Sequence, residues 1–199
     1  MGLTQSPPGK HLEAVQARFA GSALLCIDVS GSMSGSPLNE AVAGGLQFLV
    51  TARENNYECG LVLWHHDVET HVPIGSGHRT VEKALRAARS IGGNDFSATL
   101  TIAENELAPR QGDRVLCVFG DGDIGHAPAM VPRARQLCAQ GVRIVVSGLG
   151  PRATEHLSVL LCPGDTTPGQ VIADVSGLRA GIAAMADKLS GGLGLRNGS

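Results

Sequence analysis

Apolar residues cluster along this chain in two rhythms, short continuous runs and stretches at helical spacing. Residues 22–28, centred on Ala23-Leu24-Leu25-Cys26-Ile27, form an unbroken apolar run, the mark of a strand covered on both faces. Leu38, Ala41, Val42, Leu46, Leu49 and Val50 then recur at helical spacing through about residue 54, with Pro37 where a first helical turn accepts it. Residues 57–65 read as a second strand, and Val68–Ile74 alternates and is expected to pair with it antiparallel across a short turn. Val81, Leu85, Ala88 and Ile91 line a helix expected to stop at Gly92-Gly93.

The same alternation continues to the C-terminus. A helix fits Ala98–Leu107, a strand Arg114–Phe119, and a helix 128–139 that leads through a C-capping Gly141 into strand Val142–Ser147. A short helix near 153–161, a strand at 170–174 and an amphipathic helix at 177–189 complete the pattern. Weak spacing at Leu12, Val15 and Phe19 predicts a short leading helix over 11–19. Strands alternating with helices predict an α/β fold, a mostly parallel sheet with helices on both faces. Without repeats or a low-complexity linker, the expected layout is an N-terminal extension (1–21), one domain (22–190) and a flexible tail (191–199).

Composition narrows the partners. At 43% hydrophobic and 17% charged the chain is globular, and with only 3% aromatic residues its core must be aliphatic. A formal net charge of −2, without a basic block, disfavours direct nucleic-acid binding. No stretch has the length of a membrane span, and Met1–Lys10 lacks the apolar run of a secretory signal. The five cysteines form no C-x-x-C pair and leave one over. They read as reduced thiols, so the expected location is cytoplasmic.

The chemistry gathers in three loops. Asp28-Val29-Ser30-Gly31-Ser32-Met33 places a carboxylate and two hydroxyls at alternate positions where the first strand ends, and Gly31 lets the backbone curl so that the oxygens converge. Oxygen-only convergence suits a hard cation such as Mg²⁺. The competing reading is an ordinary Ser/Gly turn in which Asp28 satisfies backbone N–H groups. Gly92-Gly93-Asn94-Asp95 and Gly120-Asp121-Gly122-Asp123 are the other two loops. In an open α/β sheet such loops share the rim at the carboxyl ends of the strands. Asp28, Ser30, Ser32, Asn94 and Asp121 are therefore the candidate ligands, with Asp95 a hydrogen-bond acceptor for its loop and Asp123 a solvated rim charge.

On these motifs the chain resembles the von Willebrand factor type A (vWA) family with its metal-ion-dependent adhesion site. Asp28-Val29-Ser30-Gly31-Ser32 matches the family's D-x-S-x-S, Asp121-Gly122 its later Asp-Gly, and Gly92-Gly93-Asn94 its Gly-Gly-Thr, with Asn94 in place of the threonine. The resemblance implies a Rossmann-like sheet of six strands with one antiparallel edge strand. It also implies Mg²⁺ (or Mn²⁺ or Ca²⁺) whose open position takes an Asp or Glu of a partner protein. It suggests a stand-alone, intracellular, bacterial-type adaptor, with an AAA+ ATPase among the partner types.

Other readings are weighed against this one. Gly120-Asp121-Gly122-Asp123-Ile124-Gly125 spells G-x-G-x-x-G after a strand, but its two aspartates would repel a pyrophosphate. There is no P-loop and no G-x-S-x-G nucleophile elbow. His65-His66-Asp67 is the best alternative metal cluster, yet neighbouring residues on a strand face opposite sides. His126 is expected to begin or cap a helix, and Trp64 to lie in the core. Two alternatives to the binding module remain: a metal-dependent hydrolase or phosphotransfer enzyme on the same carboxylates, and a vWA scaffold with a non-functional metal site.

Overall fold

The computed structural model describes residues 21–165 and 168–189; the expected leading helix, the N-terminal extension and the C-terminal tail lie outside the described residues. Six strands form one sheet: β1 (Gly21–Asp28), β2 (Tyr57–Trp64), β3 (Val68–Val72), β4 (Arg114–Gly120), β5 (Val142–Leu149) and β6 (Gln170–Ile172). Their order is β3-β2-β1-β4-β5-β6. All neighbours are parallel except the β2–β3 hairpin, which puts the one antiparallel strand at an edge. This is the α/β arrangement expected from the apolar pattern.

The apolar run of β1 is explained by its place. It lies between β2 and β4 with every residue buried. Ala23, Leu25 and Ile27 face one core; Leu24 and Cys26 face the other. Helices α1 (Ser36–Glu54), α2 (His78–Arg86) and α6 (Leu178–Ala184) cover the first face through Phe48, Leu49, Val81, Leu85 and Ile182. Helices α3 (Ser97–Leu107), α4 (Ala127–Ala139) and α5 (Pro151–Ser158) cover the second through Phe96, Leu100, Met130, Leu137 and Leu157. Both layers are largely aliphatic, with Trp64 and Phe96 meeting edge to face at 5.0 Å in the second. Among the described residues no helix is long and apolar enough to cross a membrane.

Several boundaries differ from the sequence reading for physical reasons. Helix α2 ends at Arg86 and does not run to Gly92. The segment after it is drawn across to the end of β1, where Ile91 N–H donates to Val29 O at 2.8 Å and Ser90 Oγ–H to Ser30 O at 2.6 Å. Ile91, expected on the buried face of that helix, is half exposed. Strand β6 stops at Ile172 because Asp174 turns away to cap a 3-10 turn at Val175–Gly177, accepting Gly177 N–H at 3.2 Å. The last amphipathic stretch divides into α6 and a 3-10 turn at Met185–Lys188. Gly141 has φ +84, the left-handed conformation of a helix C-terminal glycine, and hands α4 over to β5.

The cysteine expectation is corrected. Cys138 and Cys162 form a disulfide joining the end of α4 to the chain after α5. Proximity of helix ends at the amino-terminal edge of the sheet, invisible in the spacing, brings them together. Cys26, Cys59 and Cys117 are free and buried, and burial first of all raises all three thiols above their usual range.

Candidate metal centre

Parallel register aligns the carboxyl ends of β1, β2 and β4. Asp28 sits opposite Trp64 at the end of the pairing with β2, and Ile27 opposite Phe119 in the pairing with β4. The residues at the ends of β1 and β4 begin two of the three loops expected to carry the chemistry, and the third, residues 92–95, is tied to the first by the Gly31 N–H donating to Gly92 O at 3.0 Å. Topology thus sets Asp28 and Asp121 on adjacent strand ends although 93 positions separate them.

Asp28 is fully buried. Its Oδ1 accepts the Ser30 N–H at 2.8 Å, and its Oδ2 accepts the Asp121 N–H and the Asn94 Nδ2–H, both at 3.4 Å. Gly120 lies close to both, a Cβ there falling 3.4 Å from Asp28 Oδ2 and 3.2 Å from the Trp64 ring. Burial pushes the Asp28 carboxyl up to about 7; the Ser30 hydrogen bonds oppose this and the nearby Asp121 charge adds to it.

The hydroxyls belong to the same corner. Ser30 is buried while Ser32, in a 3-10 turn at Gly31–Met33, is exposed, and their Oγ atoms are 3.0 Å apart. Asp121 is half-buried, and its Oδ1 is a buried oxygen with no hydrogen-bond partner among the described residues. A buried carboxylate oxygen without a donor is costly unless a cation neutralises it. Two carboxylates and two hydroxyls around one corner are the donor set a small hard cation requires, so these residues fit a divalent ion. Among the described residues no group of three or more His, Cys, Asp or Glu side chains could hold a metal.

Asn94, at the position of the family's threonine, is brought to the same corner, with its amide nitrogen toward Asp28. It acts as a donor to the carboxylate in this geometry; turning the amide over would present Oδ1 to the same space. Asp95 is an acceptor for its loop, taking the Ser97 N–H at 2.8 Å at the start of α3. Asp123 is exposed on the rim and accepts the Gly125 N–H at 2.9 Å. His126 stands at the N-cap position of α4, and Trp64 is fully buried.

Of the two histidines His65 is buried and His66 exposed, but they do not face opposite sides as the strand alternation predicts. Strand β2 ends at Trp64, so the alternation that separates side chains no longer applies. The rings of His65 and His66 lie together, centroids 4.4 Å and Nδ1 atoms 3.0 Å apart. Sequence reading also missed Ser90, whose hydroxyl holds the Ser30 carbonyl, and the contact of His66 with Gly92 and Gly93. No spacing signal marks either, because both contacts join loops far apart in the chain.

A profile of the von Willebrand factor type A domain matches residues 23–123, which span the first two loops and the Asp121 loop. Comparison with curated protein sequences finds no match. Among solved structures, the vWF domain of the type V pili tip protein Mfa5 from Porphyromonas gingivalis superposes with a TM-score of 0.76 at 14% identity, over 92% of this chain and 99% of that one. The pilus adhesin SpaC from Lactobacillus rhamnosus GG, in its open conformation, gives 0.71 at 13%, over 86% of this chain and 30% of that one. Proximal thread matrix protein 1 from the mussel byssus, with a zinc-occupied MIDAS motif, gives 0.68 at 17%, over 87% and 46%. At these identities the structures establish the fold alone, and the chain spans less than half of the latter two proteins. Profile and fold agree: the chain belongs to the von Willebrand factor type A domain family.

Proposed function

We propose that this domain is a non-enzymatic protein-binding module. In this reading Asp28, Ser30, Ser32 and Asp121, with Asn94 beside them, hold one divalent cation, Mg²⁺, with Mn²⁺ and Ca²⁺ as substitutes. The observation that carries the reading is the corner in which buried Asp28 meets Asp121, whose buried Oδ1 lacks a partner among the described residues. A bound divalent cation supplies an open coordination position for an anionic oxygen. The chain's own part is electrostatic and steric. Two carboxylates roughly balance a charge of +2, leaving attraction for one further carboxylate, whereas a third from the protein would cancel it. Asp95 and Asp123 are held away from that role by their own loop hydrogen bonds.

The partner in this reading is a protein that presents an Asp or Glu side chain. The zinc-occupied motif in the mussel protein supports the metal part of the reading, and the pilus adhesins support the binding part. An enzymatic role would need a base beside the hydroxyls; among the described residues, Ser30 and Ser32 Oγ bond to each other and to no histidine or lysine. The Cys138–Cys162 bridge favours an oxidising compartment over the cytosol, which in turn weighs against an AAA+ ATPase as partner. The test is capture of partner proteins by immobilised domain in Mg²⁺ and again in excess EDTA, beside Asp121→Ala. Capture that needs the metal and Asp121 supports the reading. Capture unchanged by chelator supports binding through the loops alone and overturns it.

A further inference from the structure

His65 and His66 lie outside the three motif loops, yet they touch the loop that carries Asn94. The two amides flanking Asn94 are both held by this turn. Gly93 N–H donates to His66 Nδ1 at 3.3 Å, and Asp95 N–H donates to the His65 carbonyl at 2.8 Å. The His66 ring also packs on the backbone of Gly92: a Cβ there would come within 2.3 Å of His66 Nδ1, and Gly92 has φ +74, which only glycine adopts freely. On its other side Gly92 offers its carbonyl to Gly31 N–H at 3.0 Å, so the first and second loops are joined through the residue that His66 covers. The His65 ring lies against that of His66, centroids 4.4 Å apart, and its own Nδ1 accepts the Asp67 N–H at 3.1 Å.

We propose that His66 is a positioning residue of the metal corner: its ring and Nδ1 fix Gly92-Gly93 and thereby set Asn94 against Asp28. This rests on the metal reading of the site and assigns a part of it to a turn outside the three motif loops. Groups that orient metal ligands commonly change affinity by about 10- to 100-fold when removed. The role requires an acceptor at the place of Nδ1, and not an imidazole as such. Asparagine carries its Oδ1 at nearly the same distance from the backbone, whereas leucine fills the volume and accepts nothing.

The test uses His66→Ala, His66→Leu and His66→Asn beside wild type and Asp28→Ala, with Mn²⁺ as the probe. Two quantities are read: Mn²⁺ affinity by calorimetry and, in metal-free protein, exchange of the Gly93 amide hydrogen by NMR. The alanine and leucine variants are expected to speed Gly93 exchange and weaken Mn²⁺ binding by about tenfold. The asparagine variant is expected to restore both. Equal Mn²⁺ affinity in all His66 variants and wild type, or an asparagine variant as weak as leucine, overturns the role of His66 alone. Wild type and Asp28→Ala titrating alike overturns the metal reading and this inference with it.

Discussion

Asp121 donates its backbone N–H to Asp28 Oδ2 at 3.4 Å, linking the ends of two neighbouring strands. The bond brings a second carboxylate beside one that is already fully buried. In the metal-free protein this is an electrostatic cost carried by the corner where the loops meet. Replacing Asp28 by asparagine removes the buried charge and keeps an acceptor for the Ser30 N–H. Because its NH2 then faces the Asp121 N–H, which offsets part of that gain, Asp28→Asn is expected to melt close to wild type in EDTA at pH 8 and to lose all stabilisation by Mg²⁺. Thermal unfolding with and without 5 to 10 mM Mg²⁺, about the range that saturates a weak oxygen site, reads both effects. An Asp28→Asn protein that still gains stability from Mg²⁺ would remove Asp28 from the ligand set.

The raised Asp28 carboxyl, pushed up to about 7, fixes the sign of a pH effect. Between the ordinary carboxylate range and 7 the folded protein retains a proton that the unfolded chain has released. Metal-free stability from this group is thus largest in acid and falls as pH rises toward 7, then levels. A metal ion must displace the same proton, so Mn²⁺ affinity is expected to rise by up to about tenfold per pH unit below 7 and to flatten above it. Calorimetric titrations from pH 5.5 to 8.5, on the order of half-unit steps, compare wild type with Asp28→Asn. An affinity independent of pH contradicts the assignment.

Asn94 tests the charge balance directly. Asn94→Asp puts a third carboxylate at the corner, next to Asp28 Oδ2. The substitution is expected to tighten Mn²⁺ binding by about tenfold in proportion to ligand charge, and to weaken capture of an acid-bearing partner in the same buffer. A variant that binds both metal and partner more tightly would contradict an electrostatic basis for capture.

The architecture was legible because the alternation of buried runs with helical spacing is a property of contiguous residues. The antiparallel hairpin, the glycine at 141 and the apolar β1 all follow from local pattern. The corner itself was legible in part, since three short motifs named the oxygens and the rule for ligands in α/β sheets placed them on one rim. What the chain did not display was contact between loops. The chain leaves helix α2 at Arg86 so that Ser90 reaches Ser30, and His65 and His66 turn together because β2 has already ended. The Cys138–Cys162 bridge was hidden for the same reason, 24 positions of chain separating two ends that the sheet brings into contact.

That bridge should matter for stability and not for the metal corner, which lies at the opposite ends of the strands. Reduction, or Cys138→Ser with Cys162→Ser, is expected to lower the free energy of unfolding by about 3 kcal/mol while leaving Mn²⁺ affinity unchanged. Urea unfolding with and without reductant gives the first value and calorimetry the second. A loss of metal affinity on reduction would show that the two ends of the sheet are coupled.

A functional metal corner requires that Asp28, Ser30, Ser32 and Asp121 together hold one divalent ion. The direct measurement is an anomalous difference map from crystals of the domain soaked in Mn²⁺. It should show a single peak at this corner, with Ser30 and Ser32 Oγ at a coordination distance of roughly 2.2 Å and the two aspartates bound directly or through water. Density with no peak there, and Asp28 still closed against Asn94 and the Asp121 amide, would contradict it.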